Sequence, residues 1–341
     1  MIRAKKILTN ESWLVFMFCI AVVAGPAIGV LFQFDLTHFP DAKTYLGLAN
    51  FEFDQNPVRR YRLIVPMGAR VLNVLMGGVF KQLKPSYFTA DFSLAFAFFV
   101  VNTILTAWFG LLTYKYIKTF SVGTIAAIVG LLSLLTCRYT IYTAALPLVD
   151  SLFCVVIAAT LLSLRRSDIR MQIALLLIGP FVKESFIFVA PLILLYGSGP
   201  KWKLFIWFFC SGLVVFSYRF GYDCLAHNPV SSSITADLHH LYNLRRTFFK
   251  VFSIHSVFLI IMIVGVWVAA PGAVFLSDKR AIKVFWQRID QPMLALLVSV
   301  LVQALLSGSV ERMFYLAMPV IVVVIAMSAQ ALLQRFAESR Q

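Results

Sequence analysis

The sequence predicts an all-α polytopic membrane protein of about ten transmembrane helices, with amphipathic surface helices in its first outer loop. Three observations predict it. Of 341 residues, 60% are hydrophobic and only 13% are charged, with a mean hydropathy of +0.86, a composition far outside that of a soluble domain. Apolar runs of about 20 residues, the length a helix needs to cross the hydrocarbon, recur along the chain. Lys and Arg gather where those runs stop. The short alternating segments of a membrane β-barrel are missing.

In chain order, Arg3, Lys5 and Lys6 precede an apolar run, Trp13–Phe32, which reads as a first membrane helix with a cytoplasmic start. It is longer than a signal peptide's apolar core and lacks a small-residue cleavage pattern. An outer lobe, 34–87, follows. Its first part, Phe34–Arg70, holds Asp35, Asp41, Glu52 and Asp54 and the basic knot Arg59, Arg60 and Arg62 around Tyr61. A charge at the bilayer centre costs about 2.5–3.5 kcal/mol, so this lobe belongs at the surface. Two amphipathic helices, Asp41–Phe51 and Leu63–Phe80, are expected to lie there, apolar side down. Membrane helices are then expected at Phe88–Leu112, Val122–Thr136 and Val149–Leu164.

Met171–Tyr196 reads either as one long helix or as two short ones meeting at Lys183-Glu184. The hairpin places Lys201, Lys203, Arg288 and Arg335 in the cytoplasm, as the positive-inside tendency asks, and the single helix places them outside. The hairpin is therefore expected. Spans at Leu204–Phe220, Val251–Ala270, Pro292–Leu306 and Met313–Leu333 complete the chain, with a second outer loop at 221–250 and both termini inside. Residues 1–341 form a single membrane domain, with no convincing internal repeat.

The net charge is +15. Cytoplasmic loops take part of it, but roughly half of the 30 Lys and Arg fall on the outer side or near it. This division between two membrane faces argues against a nucleic-acid partner and for an anion handled outside, since Arg forks match phosphate oxygens and Lys supplies a point charge. A phosphate in so lipid-rich a protein suggests a phospholipid or a polyprenyl phosphate. The five cysteines lie mostly in apolar runs without CxxC spacing and read as small buried hydrophobes.

Three outer-face sites carry the candidate chemistry. Asp41 and Tyr45 stand one helical turn apart; Asp41 reads as a general base or as a helix N-cap, with Asp35 and Asp54 as rivals. Lys183-Glu184 is an ionisable pair within an apolar run, a functional signal whose plain alternative is an ion pair, mutual or between helices. Glu311-Arg312 occupies a tight turn, where a solvated pair is the plain reading. Arg59, Arg62 and Arg138 are further candidates for substrate contact, and Asp150, just inside its helix, is a weaker one. His227, His239 and His240 lack zinc-site spacing and read as loop histidines. Asn10-Glu11-Ser12 matches a glycosylation sequon but falls on the cytoplasmic side.

In their order these features resemble the GT-C superfamily of integral-membrane glycosyltransferases. One helix precedes a large outer loop with an Asp41-to-Tyr45 D-x-x-x-Y pattern, and an Arg59-Arg60-Tyr61-Arg62 stretch with Pro66 follows. Next come a Pro147-to-Asp150 helix start, a Lys183-tipped hairpin and a late Glu311-Arg312-x-x-Tyr315 turn. The doubled acidic motif of the protein O-mannosyltransferase-like members is absent, since Ala42 follows Asp41, and there is no large soluble C-terminal domain.

The resemblance implies transfer of a sugar from a polyprenyl-phosphate carrier to an acceptor on the outer face; the compact chain and short N-terminus point to a bacterial inner membrane over the endoplasmic reticulum. Asp41 would be the base, and Lys183, Arg62 and Arg312 would hold the lipid phosphate. The number of outer cations favours metal-free phosphate binding over a divalent metal. The sequence identifies no protein partner. A transporter or flippase, and a non-catalytic subunit of an envelope pathway, are the competing readings.

Overall fold

The computed structural model of the chain describes residues 10–36, 39–56, 59–85, 91–227, 244, 247–277, 285–307 and 309–339. Among these residues the chain is helical, with no strand. Helix α1 (Asn10–Gln33) is apolar all round yet buries one stripe only, Ser12, Phe16, Cys19, Val23, Ala27 and Leu31. Trp13, Leu14, Met17 and Phe18 are exposed. Large apolar side chains bared in this way suit a helix whose outer face meets lipid. Helix α2 (Pro40–Ala49) and α3 (Ile64–Gln82) form the lobe. Helix α4 (Phe92–Lys118) starts where the Asp91 carboxylate caps Leu94 N–H at 3.3 Å, four residues later than the apolar pattern suggested, and continues to Lys118.

Helices α5 (Thr124–Leu135) and α6 (Arg138–Ala145) meet at a 60° bend. Then come α7 (Asp150–Arg165), α8 (Ile169–Val182), a 3₁₀ turn (Glu184–Phe188) and α9 (Ala190–Tyr196). The chain continues through α10 (Lys201–Leu225), α11 (Ile254–Val264), α12 (Ala269–Ser277), α13 (Gln291–Leu306), α14 (Val310–Phe314) and α15 (Met318–Glu338). Among the described residues five helices are long and apolar enough to cross a membrane: α1, α3, α4, α10 and the continuous stretch Val310–Glu338. The bent α5–α6 pair is a sixth if it counts as one span. The chain is an all-α membrane protein.

Helices α1 and α4 run antiparallel. Tyr114 donates to Glu11 at 2.8 Å at one end, and the Phe32 and Phe92 rings lie 5.9 Å apart at the other. They approach so closely that a Cβ on Gly110 would fall 2.7 Å from the Cys19 sulfur. The first of these ends also gathers the Arg165–Asp290 pair at 3.3 Å and the Gly123 N–H bond to Gln330 at 3.0 Å.

The Met171–Tyr196 segment is a hairpin. Ser198 N–H donates to Gln172 at 3.1 Å and its hydroxyl to the Ser167 carbonyl at 3.1 Å, so the chain returns to the end it left. The reversal begins at Lys183, which is fully extended (φ −163°, ψ 138°). At 14 residues, α8 is about 21 Å long, and the 16 residues of α7 make about 24 Å. A helix of either length entering one face stops short of the other side of a ~30 Å hydrocarbon layer. Their charged ends, Lys183 and Asp150, lie buried within the protein.

The lobe differs from a pair of surface helices. Seven of the ten residues of α2 are buried, Asp41 and Thr44 among them, because its polar side chains have partners within the protein. Helix α3 packs Phe80 against Phe96 of α4 at 4.9 Å and leaves Val71, Val74, Leu75 and Val79 exposed; its 19 residues are long and apolar enough to span.

Candidate functional site

The lobe, the start of α7, the hairpin tip and the start of α14 converge on one cluster of charges. Asp150 opens α7 and is 2% exposed. Its Oδ1 accepts from Lys183 Nζ at 2.8 Å, and its Oδ2 accepts from Arg312, from Nε at 2.9 Å and also from Nη2. The third nitrogen of Arg312 donates to Asp41 Oδ2, whose other oxygen takes Arg59 at 2.7 Å. Alongside, Arg62 makes a two-pronged pair with Glu184 and donates to the Tyr45 hydroxyl at 2.7 Å.

Of the residues singled out from sequence, Asp41, Tyr45, Arg59, Arg62, Lys183, Glu184 and Arg312 are thus brought together. The spacing of Asp41 and Tyr45 places both on the cluster's side of α2. Asp41 is not the helix cap; Phe39 holds that position without a side-chain bond. Lys183 and Glu184 do not pair with each other. Backbone extension at Lys183 turns the two side chains apart, one to Asp150 and one to Arg62. The rival acids Asp35 and Asp54 are exposed.

Two candidates fall outside it. Among the described residues Glu311 has no ion-pair partner, although Arg312 beside it is central; adjacent helical positions point about 100° apart. Arg138 stands exposed at the start of α6, its guanidinium 5.2 Å from the Tyr142 ring centroid. His227 is exposed, and His239, His240, Lys279, Arg280 and Lys283 lie outside the described residues. Among the described residues no three His, Cys, Asp or Glu side chains group as a metal site.

Burial by itself lowers the Arg62 pKa, and the Glu184 carboxylate and Tyr45 raise it by more, so the net direction is upward. Burial raises that of the Tyr45 phenol, against the pull of Arg62 and Arg312. Arg62 therefore stays charged and Tyr45 neutral at physiological pH.

A cavity of about 680 Å³ opens beside the cluster. Arg59, Arg62, Lys183, Arg312 and Arg219 reach its wall, with Glu184 as the lining acid; Phe208, Val215, Ile187 and Leu306 form an apolar side. Asp41 and Asp150 stand behind the cations. Arg219 lies over the Tyr61 ring at 4.8 Å and has no carboxylate partner among the described residues. Across cluster and wall, the five cations Arg59, Arg62, Lys183, Arg219 and Arg312 face three carboxylates, an excess of two positive charges. With its oxygens already engaged by three nitrogens of two basic side chains, Asp150 acts as the hub that aligns Lys183 with Arg312.

Asp150 ranked low in the sequence because an acid at a helix start is commonplace; the stronger signal was Asn102 in the middle of apolar α4. Fully buried, Asn102 donates to the carbonyls of Leu146 and Leu148 at 2.9 and 3.0 Å and accepts from Ser151. It fixes the Pro147 turn that delivers Asp150. Replacing Asn102 with leucine is expected to destabilise the fold by about 1–3 kcal/mol, the cost of a buried group left without its partner. A lowered thermal unfolding midpoint in detergent is the check.

A second cluster was not foreseen. Arg60 and Asp223, both 2% exposed, lie 2.8 Å apart, and Tyr61 donates to the other Asp223 oxygen at 2.7 Å. Arg60 approaches Asp223 off the hydrogen-bond direction, so this contact is an ion pair rather than a directed bond. Asp223 near the end of a long apolar helix, with a basic knot elsewhere, was the available signal.

No protein-family model matches the chain, and no curated protein or solved structure shows significant similarity to it.

Proposed function

We propose that this protein is a GT-C-type glycosyltransferase that moves a sugar from a polyprenyl-phosphate carrier to an acceptor on the outer face of a bacterial inner membrane. The observation that carries this reading is the excess of two positive charges beside an apolar cavity wall. An uncompensated charge away from water is costly, and an anionic amphiphile relieves it. The phosphate meets the cations while the isoprenoid lies along Phe208, Val215 and Ile187.

In the proposed reaction the acceptor hydroxyl oxygen bonds to the anomeric carbon. The carbon–oxygen bond to phosphate breaks, and its electron pair leaves with the carrier phosphate, where Lys183, Arg62 and Arg312 stabilise the growing charge. The hydroxyl proton passes to Asp41. Both Asp41 oxygens are engaged by Arg59 and Arg312, so the arriving phosphate must first draw Arg312 toward itself, which frees one oxygen to act. The map of about ten crossings, with this end outside, belongs to the same reading. It is supported by Lys118, Arg165 and Arg166 falling at the opposite end, as the positive-inside rule expects of a cytoplasmic face.

Purified protein given a panel of polyprenyl-phosphate sugars is expected to release free carrier phosphate. Asp41→Asn should lower that rate at least ~100-fold, the usual weight of a general base, with unchanged membrane insertion. If Glu184→Gln abolishes release and Asp41→Asn does not, the base is Glu184, the acid that lines the cavity. Binding of carrier phosphate without release from any sugar donor would favour the flippase reading, for which the break in α8–α9 at Lys183 is the supporting observation.

A further inference from the structure

Arg138, left out of the charge cluster, lines a cleft of about 530 Å³ that shares no residue with the first cavity. Val30 of α1, Ile141 of α6 and Met262, Val264, Val266 and Trp267 around the end of α11 form apolar walls. The polar atoms within it are largely spoken for. Trp267 donates its indole N–H to Thr136 at 2.9 Å, and Tyr142 accepts from Arg138 at a long 3.4 Å. That bond and the ring stacking are the only partners of the guanidinium among the described residues. Among the described residues the rest of its donor fork is unengaged, beside the apolar walls of the groove.

A planar fork with parallel N–H groups is suited to two oxygens of one phosphate, and one positive charge without a carboxylate partner among the described residues suits a single negative charge. We propose that this cleft is a phospholipid site, separate from the reaction cavity, in which Arg138 holds a singly charged phosphodiester headgroup and an acyl chain lies along Ile141, Met262 and Val266. Charge complementarity selects the headgroup, and the groove's walls select a lipid over a free phosphate. Binding here is independent of whether the first cavity transfers sugar.

The test is native mass spectrometry of the full chain in mild detergent with added phosphatidylglycerol, phosphatidylcholine or soluble glycerophosphoglycerol, the acyl-free phosphodiester. The wild type should retain one more phosphatidylglycerol than Arg138→Met, and should retain no phosphatidylcholine in its place. Val266→Trp, which fills the groove from an exposed position and keeps the guanidinium, should lose the same lipid. Equal retention by wild type and Arg138→Met would overturn the assignment, as would equal retention of phosphatidylcholine. Retention of glycerophosphoglycerol matching that of the lipid would show that the apolar walls contribute nothing, and would also overturn it.

Discussion

Asp150→Ala is expected to destabilise the protein by about 3–5 kcal/mol, the usual cost of removing one partner from a buried ion pair. The reason is the identity of what remains. Lys183 and Arg312 would lose the carboxylate they share, and Lys183, only 4% exposed, has little access to water in compensation. Removing the lysine as well, in Asp150→Ala with Lys183→Met, should recover much of the lost unfolding midpoint, since an apolar replacement of a buried pair is often neutral. Anion binding should behave differently. The double variant loses one of the cations that reach the cavity, so its affinity for a phosphate-lipid probe should stay low while its stability returns. A double variant that recovers both would reduce the Asp150 cluster to a structural feature.

The Arg60–Asp223 pair supplies the second large effect and a contrast to the first. Helix α10 leaves most of its length exposed. Its lobe end is tied down by Asp223 on Arg60 and Tyr61, by Tyr222 donating to the Phe53 carbonyl at 3.1 Å, and by Tyr218 donating to that of Tyr61 at 3.4 Å. Asp223→Ala leaves Arg60 buried without a carboxylate, again at a cost of about 3–5 kcal/mol. Because Phe208, Val215 and Arg219 of α10 line the cavity, a loosened helix should also weaken lipid binding. Here Arg60→Met with Asp223→Leu should restore stability and binding together, since neither residue touches the cavity. Unfolding midpoints and probe affinity, measured on both double variants, separate a pair that holds the fold from one that also presents charge to a ligand.

Much of this architecture was legible from residue order. Apolar runs of spanning length, and the basic residues that end them, fix where helices form, because backbone groups in hydrocarbon must bond within their own segment. The hairpin was legible too, from the charge balance of later loops. Lys183 and Glu184 could be recognised as needing partners, since neither can stay bare in an apolar run.

Residue order did not reveal which partners they take. Lys183 goes to Asp150 and Glu184 to Arg62, while Arg312 bridges Asp41 and Asp150 across 271 and 162 positions. A buried charge announces its requirement locally, but only the packing of distant helices determines which opposite charge is within 3 Å. For the same reason Asp150 and Asp223 looked ordinary until the fold surrounded them with cations. Glu311, next to Arg312 in the chain, was left on another side of its helix. The need for compensation is written in the chain; the choice of counter-charge comes from the three-dimensional arrangement, because electrostatic energy depends on distance and solvent exclusion and not on sequence separation.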